Sequence, residues 1–122
     1  MLIFGAIWRV VVVACALFSI AHSSSAETPH GASDAFKQKV RPFLDDYCLS
    51  CHDEETKKGN VSLESLTDVS ADNASMWKRI WEQVALKEMP PRKKSNQPKL
   101  TERLELSNWI TAGLTNAISH QR

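Results

Sequence analysis

Cys48 and Cys51 are separated by two residues in the stretch CLSCH, and His52 follows the second directly. Two thiols at this spacing can each add to one vinyl group of a haem, and the adjacent imidazole then falls beneath the iron as an axial ligand. Three other chemistries use cysteine pairs. A structural zinc site needs four ligands, but the chain beyond residue 26 adds only His30 and His120, one near each end, and no second cysteine pair. A thioredoxin-like redox pair needs a strand and helix setting that the pattern does not supply. A plain disulfide is the bland alternative, and it leaves His52 without a role. The expectation is one covalent haem c with its iron, Cys48 and Cys51 carrying the attachment and His52 serving as proximal ligand.

An iron that moves electrons needs a second axial ligand, whereas one that binds or activates small molecules keeps that position open. A thioether suits the first role, and two methionines are available beyond residue 26. Met76 falls in the apolar face of an expected helix, where packing is its ordinary role. Met89 follows that helix and precedes Pro90 and Pro91, whose rings restrict the backbone and let the side chain project from a stiff loop. Met89 is the expected distal ligand. The competing reading is a haem enzyme or small-molecule sensor with an open distal site, and no evident distal acid or base supports it. A third reading is a haem-bearing docking module of a dehydrogenase.

The elements that must position these groups read as helices. Ser33 can cap a helix in which Phe36, Val40, Phe43, Leu44 and Tyr47 recur at steps of three and four, with Pro42 inside the pattern to kink or restart it. Residues 53–73 are polar and turn-rich, with SLESL long enough for one or two helical turns. Asn73 can cap a second helix whose apolar face holds Met76, Trp77, Ile80, Trp81 and Val84, opposite Lys78, Arg79 and Glu82, and which must stop at Met89 before the prolines. Leu100 and Thr101 open a last helix with Leu104, Trp109, Ile110 and Leu114 on its buried side. No convincing strand appears. The fold class expected is all-α, with three main helices and long loops wrapped around one haem. Loops of this length bring ordering cost without apolar burial unless they enclose something.

The first quarter of the chain differs from the rest. Arg9 is its single charge up to residue 26, Val10 to Ala21 is apolar apart from Ser19, and HSSSA follows. A basic residue, an apolar stretch shorter than the roughly 20 residues of a membrane span, and small residues at Ser24 and Ala26 form a secretory signal with cleavage after Ala26. Retention of the segment as an anchor is the rival, and it is the one case in which a membrane would be a partner. Cys15 in VVAC only faintly resembles a lipoprotein box. The expected organisation is a signal peptide at 1–26 and a cytochrome c-like haem domain at 27–122, exported to the periplasm or an equivalent compartment. Haem is joined to such motifs outside the cytoplasm in bacteria, so the leader and the motif support each other. Of 15 basic residues, 14 remain once Arg9 is set aside, against 14 acidic ones. That balance argues against nucleic acid as a partner.

Together these stretches resemble a known family. VRPFLDDYCLSCH, then KKGNVSLESL, a tryptophan-bearing helix, MPP and finally LSNWITAGL are similar to the planctomycete-type cytochrome c domain, over about Phe36 to Leu114. The resemblance implies a small monohaem cytochrome c module in which Cys48 and Cys51 carry the thioethers, His52 is the proximal ligand and Met89 the distal one. The leading expectation is an electron carrier without catalytic residues of its own, with service as a subunit of an oxidoreductase left open. The chain departs from the pattern at Asp53 and at Asn60, where the family often has glycine. Asparagine tolerates left-handed geometry, whereas Asp53 puts an acidic group near the motif.

Arg92, Lys93 and Lys94 lie just beyond Met89, with Lys99 close in sequence and Lys57 and Lys58 on the other loop. Placed around a haem edge they would steer an acidic redox partner protein; the plainer reading is a solvated loop, since Asp53, Glu54 and Glu55 offset the charge nearby. Trp77, Trp81 and Trp109 read as core packing at helical spacing rather than as contacts to a porphyrin.

Overall fold

The computed structural model of the protein describes residues 33–120. The expected signal peptide at 1–26, Cys15 and His30 lie outside the described residues. These residues form helices and loops, with no strand among them, as the sequence pattern requires.

Ser33 starts the first turn: its Oγ accepts the Phe36 N–H at 3.1 Å and its carbonyl accepts the Lys37 N–H at 3.0 Å, which satisfies donors that a helix start leaves open. The restart expected at Pro42 takes a definite form. A five-residue π-helical segment, Phe36–Val40, precedes α1, Arg41–Tyr47. The Arg41 N–H reaches back to the Phe36 carbonyl across the wider turn, and Pro42, lacking an N–H, sits in the first turn of α1, where its missing donor costs least. A short helix, α2, Leu49–His52, carries the cysteine motif.

The loop to the next helix contains a 3-10 turn at Lys58–Asn60. SLESL forms only a tight turn at Glu64 and Ser65 instead of helical turns. Helix α3, Ala74–Ala85, begins after Asn73, but the Asn73 side chain does not cap it. Its Oδ1 accepts the Ser70 N–H at 2.8 Å and its Nδ2 donates to the Asp68 carbonyl at 2.9 Å, bracing the incoming loop instead. The helix also ends four residues earlier than expected. Lys87 adopts φ 58°, its N–H donates to Val84, and the Glu88 N–H donates to Gln83 at 2.9 Å. That is the left-handed C-terminal closure usually built on glycine, formed here on lysine. Helix α4, Leu100–Ser119, begins where its pattern predicts.

The core lies between the Phe36–Tyr47 segment and the α3 and α4 helices, with Phe36, Val40, Phe43, Leu44, Leu63, Trp77, Ile80, Val84, Leu106 and Ile110 buried. Phe36 meets Trp77 edge-on at 6.3 Å between centroids, and Trp77 meets Trp109 at 5.1 Å. Two residues expected inside are not: Leu104 is 52 % exposed and Trp81 38 %. The buried stripe of α4 runs instead through Arg103, Leu106 and Ile110.

Gly113 of α4 lies against the loop, and a Cβ built there would stand 2.6 Å from Val69 Cγ2 and 2.7 Å from Val69 Cβ. Alanine would gain about 1 kcal/mol of helix propensity, but the contact lies next to the Val69 backbone and cannot be relieved by a rotamer change. Overpacking of this kind costs about 1–3 kcal/mol. Gly113→Ala is expected to lower stability by a net ~1 kcal/mol in denaturant unfolding, and a gain in stability would show that the loop yields freely.

Candidate functional site

The cysteine pair is placed by one turn of backbone. The Cys51 and His52 N–H groups both donate to the Cys48 carbonyl at 3.1 Å, so positions 48 and 51 share a helical face. Both thiols are free. Cys48 is buried and its thiol is pushed up to about 12, chiefly by that burial, with Arg103 acting in the opposite direction. Cys51 is partly exposed. The thiolate is the reactive form, so burial makes Cys48 the less reactive of the pair. Haem-free protein treated with iodoacetamide at pH 8 is therefore expected to be alkylated at Cys51 first. Equal rates by peptide mapping would contradict the burial of Cys48.

The loop after the motif folds back onto it. The His52 carbonyl accepts the Leu63 N–H at 2.7 Å, and His52 Nδ1 lies 3.3 Å from the Val61 carbonyl. A carbonyl only accepts, so this contact requires the proton on Nδ1 and leaves the Nε2 lone pair for a metal. Left-handed geometry at Gly59 (φ 65°) and Asn60 (φ 59°) turns the chain back, a conformation that asparagine tolerates. Asp53 braces the same turn. Its Oδ1 accepts the Thr56 N–H at 2.6 Å, which holds its carboxyl below the ordinary range. Glu54 is lowered as well, by Lys57 first and by the Ser62 hydroxyl that donates to it at 2.6 Å. Lowered carboxylates stabilise above their unfolded pKa and lose that contribution as pH falls through the folded one. The return loop is thus fully braced at neutral pH.

Cys48, Cys51 and His52 form part of a cleft of about 410 Å³ whose walls also include Leu63, Ile80 and Val84, a size ordinary for a cofactor site. Met89, Pro90 and Pro91 line the same cleft. The structure therefore brings all four expected site residues, Cys48, Cys51, His52 and Met89, onto one cavity. Met76 reaches it too while packing against the core. The two thioethers differ in how their backbones are held: Met76 lies within α3, whereas Met89 is fixed on both sides outside any helix. The Met89 N–H donates to Gln83 at 3.1 Å, and its carbonyl accepts from Arg103 Nη1 at 2.9 Å.

Of the cations singled out in the sequence, Lys58, Lys93 and Lys94 line the cleft, and α3 adds Arg79. Among the described residues no aspartate or glutamate lines it. Lys57 is instead paired with Glu54 at 2.8 Å and Arg92 with Glu88 at 3.6 Å. None of the three tryptophans lines the cleft. Trp77 and Trp109 pack in the core, and Trp77 Nε1 donates to the Thr67 carbonyl at 3.1 Å.

Sequence reasoning missed Arg103 and Gln97. Arg103 was hidden because a charged residue in a helix ordinarily faces water; its signal is the spacing to Leu106 and Ile110, which places it on the buried stripe.

Two thiols, an imidazole and thioethers along the walls of one largely apolar cleft are groups that can hold a haem. Comparison with known families finds one likeness: residues 48–93 match the family model described as Planctomycete cytochrome C. The match begins at the first cysteine of the motif and extends past Met89. No curated protein and no solved structure matches the chain.

Proposed function

We propose that the chain is an exported monohaem cytochrome c that relays single electrons, with a cytochrome c-like arrangement of its helices about the cofactor. One haem would be joined through Cys48 and Cys51 and ligated by His52 and Met89. The observation that carries this reading is that Met89, distant in sequence, meets Cys48, Cys51 and His52 on one largely apolar cleft. The residues fit the group: two free thiols one turn apart, an imidazole with Nδ1 occupied by Val61, and a thioether on a braced loop.

The bound haem supplies a one-electron iron couple; the protein holds and tunes it. Val61 fixes the ring orientation of His52. Leu63, Ile80 and Val84 would keep water from a bound cofactor, and an apolar setting with a thioether ligand would favour the reduced state. Lys58, Arg79, Lys93 and Lys94 give the cleft mouth a positive field, which suits an acidic redox partner and predicts an association rate that falls with salt. Export through the 1–26 segment, and 27–122 as the working domain, complete the reading. Among the described residues no helix is long and apolar enough to cross a membrane.

The test is a potentiometric titration of the haem-loaded protein, followed through the near-infrared band of a methionine-bound ferric iron. A single one-electron transition that removes the band on reduction supports the carrier. Covalent haem without the band, binding cyanide or carbon monoxide readily, would replace it with an open-site enzyme or sensor.

A further inference from the structure

Among the described residues Arg103 is the one buried charged side chain, 6 % exposed. None of the ion pairs among those residues includes it. A buried guanidinium without a carboxylate is costly unless its donors are satisfied. Its Nη1 donates at 2.9 Å to the carbonyls of Val84 and Met89, and its Nη2 donates at 3.0 Å to Gln97 Oε1. The Val84 carbonyl belongs to the last turn of α3, where the helix dipole favours a cation.

The bonds go there because of the sequence around Met89. Pro90 and Pro91 contribute carbonyls but no N–H groups; the Lys94 N–H closes onto the Pro91 carbonyl at 2.8 Å, and the Met89 carbonyl takes its donor from outside the loop. Arg103 supplies one to Met89. Gln97, oriented by Arg103, supplies others: its Nε2 donates to Pro91 at 2.9 Å and to Lys94 at 3.1 Å. One planar fork on α4 thus ties the end of α3, the Met89 backbone and the far side of the loop. A lysine ammonium is a compact point charge without that fixed fork.

We propose that Arg103 is a positioning residue for the distal thioether, holding the Met89 backbone from behind so that the sulfur stays directed into the cleft; this rests on the reading of Met89 as distal ligand. Releasing the fork raises the fraction of molecules in which the sulfur has left the iron. An external ligand binds in proportion to that fraction.

The experiment uses the haem-loaded protein carrying Arg103→Met, Arg103→Lys or Met89→Ala, with imidazole as the added probe. The readouts are the imidazole dissociation constant, the near-infrared band and the far-ultraviolet helical signal. Arg103→Met is expected to bind imidazole about tenfold or more tightly and to weaken the band, with helical content kept and Arg103→Lys in between. Wild-type imidazole affinity in both arginine variants, alongside loss of the band in Met89→Ala, would overturn the positioning role while leaving the ligand assignment standing. A band that survives Met89→Ala would overturn the ligand assignment, and the proposal with it. If Arg103→Met does not fold, Gln97→Leu, which removes the acceptor of Arg103 Nη2 and the side-chain donor to the Lys94 carbonyl, answers instead: tighter imidazole binding supports the proposal and unchanged binding contradicts it.

Discussion

Met89→Ala is expected to abolish the near-infrared band of the ferric protein and to strengthen imidazole binding by roughly a hundredfold, because the probe no longer competes with an internal thioether. The haem should remain attached, since Cys48 and Cys51 are untouched. Met76 provides the control, as it lines the same cleft. Met76→Leu preserves volume and should leave the band in place, at a cost below about 1.5 kcal/mol in stability. The reverse pattern, with the band lost in the Met76 variant and kept in the Met89 variant, would move the distal ligand onto α3.

Trp77→Ala is expected to give the largest loss of stability. The side chain is fully buried, packs against Phe36 and Trp109, and donates to the Thr67 carbonyl. Truncating a buried aromatic costs about 3–5 kcal/mol, and the Thr67 carbonyl loses its donor as well. Small domains hold only about 5–15 kcal/mol in total, so the midpoint of thermal unfolding should fall by more than about 15 °C. Trp81, the neighbouring tryptophan of the same helix, is partly exposed, and Trp81→Ala should cost much less. Similar losses for the two would mean that burial does not distinguish them.

The parts of the site legible in the sequence were those fixed by residue type and short spacing. Cys48, Cys51 and His52 declare themselves because few uses need two thiols and an imidazole at that interval, and Met89 because two prolines follow it. The helices were legible through their apolar periodicity, including the restart at Pro42. What escaped depended on contacts between distant segments or on unusual residues in ordinary roles. Lys87 closes α3 in a left-handed conformation for which glycine is the usual marker, so the end of the helix was placed four residues too late. Asn73 has the composition of a cap, yet its side chain serves the loop before it. Leu104 was placed inside by its apolarity, whereas the register of α4 buries Arg103 and turns Leu104 to solvent. Arginine is rarely buried, and the carbonyls of Val84 and Met89 that take its donors explain why it is buried here.

The central claim is that Cys48 and Cys51 hold one haem in this cleft. Its most direct test is the intact mass of the denatured protein, recovered after expression in a host competent to export and load it, with the attachment sites mapped on peptides. The expected result is a chain beginning at Glu27 that keeps one haem after denaturation, attached at Cys48 and Cys51. A chain recovered from that host without haem, its two cysteines joined to each other, would contradict the claim.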